Sequence, residues 1–209
     1  MSLIDIVDNK GRISYNSLKL FISNCALHEF TEQAKHPFLV GKKLYDGEIK
    51  SKDINSNSLK TMLFDVSEIQ NELDERYSET TTVLMNDKLS EDLDKTAGIS
   101  QAVFMLRKKA YSTEPDKNTI TIGRSQENDI VIPDFAVSKH HAKIVIFNDM
   151  YFIVDVGSTN GTIINGKAVP PQMKVQVSMN SMISFGRLCF VLTHPLMMYR
   201  AMCEEISGE

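Results

Sequence analysis

Three short polar segments in the C-terminal half carry side chains that can together surround a phosphate dianion. They are "TIGRSQ" with Arg124, "AVSKHH" with Ser138 and Lys139, and "GSTNGT" with Thr159 and Asn160. A guanidinium offers two parallel donors, and an ammonium group and hydroxyls can fill the remaining phosphate oxygens. An amide both donates and accepts, which suits contact with a peptide backbone beside that phosphate. These residue types therefore predict a clamp for an anion and an adjoining backbone.

The chain around these segments has the pattern of an antiparallel β-sandwich or barrel. From about residue 101, short apolar or alternating runs follow one another at close spacing, separated by Asp, Asn, Gly, Pro and Ser. The runs are "AVFMLRK", "NTITIG", "DIVI", "HAKIVIF", "YFIVDV", "GTIING", "SMISFG" and "LCFVLT". This close spacing does not fit βαβ units. The polar segments are therefore expected in loops between strands.

The order of these motifs, GR, then S-x-x-H, then "GSTNGTIING", closely resembles the forkhead-associated (FHA) domain of the bacterial type. The resemblance covers residues 101–193. It implies a mainly β fold, an eleven-stranded antiparallel sandwich, in which loops at one end bind a phosphothreonine-containing segment. It also implies that the domain is not an enzyme.

The resemblance also implies roles for individual residues. Arg124 would contact the phosphate, Ser138 would donate its hydroxyl, and Lys139 would be a further phosphate ligand. Thr159 would contact the phosphate or the bound backbone, and Asn160 would hydrogen-bond the peptide main chain. The remaining motif positions resemble loop scaffolding: Gly123, His141 and Gly161.

Catalytic and metal-binding interpretations are weaker. Ser138, His141 and Asp155 are the residue types of a hydrolytic triad, but a Ser and a His three apart at a strand entrance lack a nucleophile elbow. His140 and His141 are neighbours on an expected strand, so they point to opposite faces and do not chelate one metal. "VGKKLYDG" lacks the spacing of a phosphate-binding loop. No catalytic residue, cofactor or metal is expected.

The two ends of the chain are less informative. Residues 1–64 are predicted to form an α+β module of unknown function, with a helix near "NSLKLFISNCALHEF" and short strands around "HPFLVGKKLYDGEI". Residues 194–209 are predicted to form a helix that begins near Pro195. One stripe of that helix is expected to dock on the chain, and its methionines form a second face that suits a partner. The stripe comprises Leu196, Tyr199, Cys203 and Ile206, and the methionines are Met197, Met198 and Met202.

Residues 65–100 are predicted to be an acidic helix followed by a flexible tether. Residues 65–96 hold ten acidic side chains against three basic ones. Thr80, Thr81 and Thr82 resemble a Glu-Thr-Thr kinase site that some small bacterial family members carry ahead of the domain. The resemblance implies that the phosphorylated site is bound by the domain of the same chain. A threonine-rich polar stretch without that role is the alternative.

Composition limits the classes of function. The chain has 209 residues and a formal net charge of −4, which disfavours binding to nucleic acid by bulk attraction. The start shows no secretory signal, the apolar runs are too short to span a membrane, and three scattered cysteines suggest a reducing compartment. The expectation is a cytoplasmic adaptor in Ser/Thr kinase signalling. Its expected partners are a kinase and a phosphothreonine protein or its own tether, and neither nucleic acid nor membrane.

Two alternatives remain open at this stage. The sandwich would in one case be a scaffold that binds partners without phosphorylation. In the other, residues 1–64 would hold an enzyme that the sandwich regulates, although their acidic residues and histidines show no recognisable catalytic spacing.

Overall fold

The computed structural model describes residues 2–44 and 102–208. The first range contains a 3-10 helix (Leu3–Ile6), β1 (Arg12–Ile13), α1 (Tyr15–Ser23), α2 (Leu27–Gln33) and β2 (Phe38–Leu44). The second range contains β3 (Val103–Met105), β4 (Thr119–Gly123), β5 (Ile130–Val131), β6 (Ala142–Phe147), β7 (Met150–Asp155), β8 (Thr162–Ile164), β9 (Lys167–Ala168), β10 (Lys174–Val177), β11 (Met182–Phe185), β12 (Leu188–Thr193) and α3 (Pro195–Ser207).

The strands form two sheets, which confirms the predicted mainly β sandwich. One sheet has the order β1-β3-β2-β12-β11-β8-β9, and the other has the order β10-β7-β6-β4-β5. Neighbouring strands are antiparallel except β4 and β5, which are parallel. The described residues form twelve strands where the resemblance implied eleven. Two of these, β1 and β2, come from the region assigned to a separate module.

The main core lies between the two sheets, where alternate residues of each strand point inward. Ile120 and Ile122 of β4 face Phe190 and Leu192 of β12 across one continuous cluster. All four side chains are no more than 2% exposed. Complete burial of one such side chain stabilises the fold by about 1.5–3 kcal/mol. This core fixes the strand ends from which the loops emerge.

The described part of the predicted N-terminal module is not separate from the sandwich, and that prediction is wrong. Strand β2 lies between β3 and β12, where Phe38 pairs with Met105 on one side and with Thr193 on the other. Leu39 points into the main core, whereas Phe38 and Val40 point to the opposite face of the sheet. Both faces of β2 are therefore buried over residues 38–41. The predicted boundary at residue 64 lies outside the described residues.

A second core covers the outer face of β2 and β3 with helices α1, α2 and α3. Phe30 of α2 is at its centre, with ring centroids 6.4 Å from Phe21, 6.0 Å from Phe38 and 5.5 Å from Tyr199. The helix predicted in this region is interrupted. Helix α1 ends at Ser23, and the Asn24 side-chain amide donates to the Leu20 carbonyl at 2.8 Å. The second core ties the N-terminal region and the last helix to one sheet.

The C-terminal helix begins at Pro195 as predicted, and the N-cap His194 accepts a hydrogen bond from the Leu196 backbone at 3.1 Å. Its buried face differs from the prediction. Met198 and Met202 are buried, whereas Ile206 of the predicted stripe is 39% exposed. Flexible methionine side chains suit the irregular space of the second core, so Met198 and Met202 pack inward, whereas Met197 is 47% exposed.

Within the described ranges, no helix is both long enough and apolar enough to cross a bilayer. The acidic helix, the tether and Thr80, Thr81 and Thr82 all lie outside those ranges.

Candidate functional site

Three loops meet at one end of the sandwich: 124–129 between β4 and β5, 132–141 between β5 and β6, and 156–161 between β7 and β8. The Arg124 backbone N–H donates to the Ser138 carbonyl at 3.0 Å, and the Ser125 N–H donates to the Lys139 carbonyl at 3.2 Å. The Thr159 backbone N–H donates to the Ser138 hydroxyl at 3.0 Å. The predicted residues of all three motifs are therefore neighbours in space.

Two hydroxyl groups form the centre of this cluster. Ser138 Oγ lies 3.4 Å from Thr159 Oγ1, and Ser138 is half-buried while Thr159 is exposed. Since the Thr159 N–H occupies one acceptor position of Ser138 Oγ, the serine hydroxyl is held in one direction. Ser138 Oγ donates to Thr159 Oγ1 in this arrangement, which gives a linked pair of hydroxyls at the surface.

Two cationic residues belong to the same cluster of loops as the hydroxyl pair. Arg124 and Lys139 are both exposed. The ion pairs of the described ranges join Lys19 to Glu205, His140 to Glu127, Lys143 to Glu114 and Arg187 to Asp134. Neither Arg124 nor Lys139 takes part in any of them, so both cations can act on an external anion.

Asn160 joins two of the loops. Its Nδ2 donates to the Ala136 carbonyl at 2.9 Å, which links the 156–161 loop to the 132–141 loop. A side-chain amide has two N–H donors and one carbonyl acceptor. One donor is used inside the protein, and the other donor and the carbonyl remain for a peptide backbone.

His141 is a buried scaffold residue rather than a catalytic base. The Ser138 backbone N–H donates to Nδ1 at 3.0 Å, so the proton resides on Nε2, which lies 3.1 Å from the Gly161 carbonyl. Burial lowers the pKa of His141 below its usual value, although the Gly161 carbonyl and Asp155 oppose the shift. With both ring nitrogens bound to backbone groups, His141 does not activate the Ser138 hydroxyl. The geometry therefore disagrees with a hydrolytic triad.

Gly123 allows β4 to end against the 132–141 loop. A Cβ at this position would lie 2.2 Å from the Lys139 carbonyl oxygen and 2.8 Å from Asn128 Nδ2. Asn128 is buried, and its Nδ2 donates to the carbonyls of Ser125 and Lys139 at 2.9 and 2.7 Å. Sequence reasoning missed Asn128, since a lone Asn in a loop gives no signal of its own.

Asp155 anchors the 156–161 loop, a role that sequence reasoning also missed. One carboxylate oxygen accepts from the Gly157 and Ser158 N–H groups at 2.8 Å each. The other accepts from the Ser158 and Thr162 hydroxyls at 2.6 and 2.7 Å. Burial would raise the pKa of Asp155, but these hydrogen bonds hold it below its ordinary value. The available signal was an Asp two residues before a Gly-Ser turn, where its side chain can bond the following backbone.

Comparison with known proteins decides the family. The family model "FHA domain" matches residues 120–186. Glycogen accumulation regulator GarA from Mycobacterium tuberculosis is 33% identical over 112 residues, which cover 46% of this chain and 69% of GarA. The chain belongs to the FHA domain family. The matched part of this FHA protein contains all three loops of the site.

Two further proteins are similar to this FHA protein. The human "Angiogenic factor with G patch and FHA domains 1" is 34% identical over 112 residues, which cover 49% of this chain and 16% of that protein. The chain therefore matches about a sixth of that relative's length. The solved FHA domain of the CT664 protein from Chlamydia trachomatis is 33% identical, with 47% of this chain and 90% of that chain covered and a TM-score of 0.38.

Proposed function

We propose that this FHA protein is a non-catalytic adaptor that binds phosphothreonine-containing peptides through the three loops at one end of the sandwich. The observation that supports this proposal is that backbone hydrogen bonds bring the segments carrying the exposed Arg124 and Lys139 next to the segment carrying Thr159, whose N–H binds the Ser138 hydroxyl. The backbone bonds between the loops set this arrangement in advance of binding. Such preorganisation lowers the cost of ordering side chains around a ligand.

Each of the five residues has a distinct part in the proposed complex. Arg124 forms a bidentate contact with two phosphate oxygens, since a planar guanidinium matches that geometry. Lys139 supplies a second positive charge, and the hydroxyls of Ser138 and Thr159 donate to the remaining oxygens. Asn160 uses its remaining N–H and carbonyl for the peptide main chain.

The proposal predicts a selective loss of binding on removal of the guanidinium. A peptide screen against the wild type is expected to select peptides that bind only when threonine is phosphorylated. Arg124→Ala is expected to weaken that binding roughly ten- to a hundredfold, because a hydrogen bond to a charged group contributes about 1.5–3 kcal/mol. Isothermal titration calorimetry measures the affinities.

Arg200→Ala is the matched control, because Arg200 is an exposed arginine on α3. Its affinity is expected to equal that of the wild type. Equal binding of phosphorylated and unmodified peptides by the wild type would instead support the phosphorylation-independent scaffold.

We further propose that a kinase phosphorylates Thr80, Thr81 or Thr82 and that the site then binds this segment of its own chain. The support is the sequence alone, since "SETTTV" lies in an acidic stretch ahead of the domain. A threonine-phosphorylated chain is expected to bind an external phosphopeptide more weakly than the unmodified chain, as competition assays would show. Unchanged affinity, with phosphorylation verified by mass spectrometry, would contradict the switch.

A further inference from the structure

A groove of about 560 Å³ lies on the outer face of the five-stranded sheet, away from the helices that cover the other sheet. One row of its lining follows the strand register. Thr121 of β4 pairs with Lys143 of β6, Lys143 pairs with Val154 of β7, and Val154 pairs with Lys174 of β10. Side chains in register share a face of the sheet. One row of outward side chains therefore crosses four neighbouring strands.

The floor of the groove is an apolar patch of three valines, and the charged side chains around it have no large net charge. Val145, Val154 and Val156 are half-buried on this face. On the rim, the Lys143 ammonium lies 2.5 Å from the Glu114 carboxylate. Two further rim residues of opposite sign, Asp116 and Lys174, are exposed. A bound polypeptide with alternating apolar and polar side chains therefore suits this surface better than a uniformly charged polypeptide does.

One end of the groove adjoins the three-loop site. His140, which lines the groove, directly follows Lys139, and Asn128 lines it while donating to the Lys139 carbonyl at 2.7 Å. Gln172, also in the lining, has its Nε2 4.0 Å from the position of a Cβ on Gly157. The groove is thus continuous with the loops proposed to hold the phosphate.

We propose that the groove binds the part of the same phosphothreonine-containing polypeptide that flanks the phosphothreonine, in extended form with apolar side chains at alternate positions. Successive side chains of an extended segment point to opposite sides, so every second one meets the valine floor. The row across four strands spans about 14 Å, and six extended residues span about 20 Å. An arm of six residues is therefore long enough to cross the floor. This inference depends on the proposed function.

The test uses the full chain and peptides with a common five-residue phosphothreonine core taken from the screen. One pair of peptides adds the arm Val-Glu-Val-Glu-Val-Glu to the N-terminal or the C-terminal side of the core. A second pair adds Gly-Glu-Gly-Glu-Gly-Glu, which has the same length and charge. On one side of the core, the valine arm is expected to bind about tenfold more tightly than the glycine arm, a difference of about 1.4 kcal/mol.

Val154→Glu places a carboxylate on the groove floor and is expected to abolish the advantage of the valine arm while leaving affinity for the core unchanged. The matched control is Val191→Glu, because Val191 is also a half-buried valine in a strand, but in the other sheet. This control is expected to keep the advantage. Thermal unfolding of both variants verifies that they are folded.

The outcomes separate the two proposals. If the valine and glycine arms bind equally on both sides of the core, or if Val154→Glu keeps the advantage of the valine arm, the groove inference is overturned and the proposed function stands. If the wild type does not distinguish the phosphorylated core from the unmodified one, the proposed function is overturned and the groove inference falls with it.

Discussion

At the residue scale, Ser138 connects all three loops because its carbonyl and its hydroxyl bond the two other loops, while its N–H bonds a residue of its own loop. Its N–H donates to His141 Nδ1 at 3.0 Å, its carbonyl accepts from the Arg124 N–H at 3.0 Å, and its hydroxyl accepts from the Thr159 N–H at 3.0 Å. The serine at this position therefore determines both loop geometry and the direction of one proposed phosphate donor. The sequence motif predicted the role of Ser138 as a phosphate donor. Its role in loop geometry depends on contacts with residues 14 and 21 positions away along the chain.

The neutral state of His141 predicts a pH dependence of stability. Its pKa in the folded chain is lower than the ordinary value of 6.5, so the folded state binds fewer protons than the unfolded state. The free energy of unfolding is therefore expected to be highest above pH 6.5 and to fall as the pH drops through and below that value. Urea unfolding between pH 5 and pH 8 measures this dependence.

His141→Gln is expected to be less stable than the wild type at pH 8 and to lose less stability on acidification. His28→Gln, a change at an exposed histidine on α2, is the control and is expected to follow the wild-type curve. His36 also contributes to the wild-type slope, because burial lowers its pKa as well. An identical slope in wild type and His141→Gln would contradict the neutral, doubly bonded imidazole.

At the element scale, the strand ends determine where the functional groups lie. Short apolar or alternating runs identified the strands from β3 to β8 and β11 to β12, because the inward residues of these strands form the main core, whereas β10 was missed. The conformation of the loops could not be predicted from such sequence patterns. It depends on buried polar anchors such as Asn128 and Asp155, whose bonding partners only the folded chain reveals.

Asp155→Ala is predicted to destabilise the end of β7 and the loop that follows. It leaves two backbone N–H groups and two hydroxyls without their acceptor, and one unsatisfied buried polar group costs about 1–3 kcal/mol. The free energy of unfolding is expected to fall by about 3 kcal/mol, and phosphopeptide affinity is expected to fall as Thr159 and Asn160 lose their positions. Urea unfolding and calorimetry measure the two effects.

Glu204→Ala provides the control, since Glu204 is an exposed carboxylate on α3, away from the loops. It is expected to change neither stability nor affinity measurably. A wild-type affinity in Asp155→Ala would show that the anchor does not position the binding loop.

At the scale of the whole molecule, the N-terminal region and the sandwich share one sheet. Strand β2 pairs with β3 and β12, so pairing partners more than 60 residues apart in sequence become neighbours. The run "HPFLV" indicated a strand but could not indicate its partner, and a long acidic stretch suggested a domain boundary after it. The sequence therefore predicted the strand and missed the sheet to which it belongs.

This shared sheet predicts coupled unfolding. Phe30 is completely buried at the centre of the second core, so Phe30→Ala is expected to lower the free energy of unfolding by about 3–5 kcal/mol. Far-UV circular dichroism and phosphopeptide binding are expected to be lost at the same urea concentration. Leu20→Ala, at a 63% exposed position on α1, serves as the control and is expected to have little effect. Loss of the helices at a urea concentration that leaves binding intact would contradict the coupling.

The measurement that tests the central claim most directly is a titration followed by amide nuclear magnetic resonance. The isotopically labelled chain is titrated with a phosphothreonine peptide and, separately, with the same peptide unphosphorylated. The phosphorylated peptide is predicted to shift the backbone amide resonances of Arg124, Ser138 and Thr159, which are linked by hydrogen bonds across the three loops. The unphosphorylated peptide is predicted to leave them in place. Equal shifts with both peptides, or shifts confined to other parts of the chain, would contradict the claim that these loops recognise phosphothreonine.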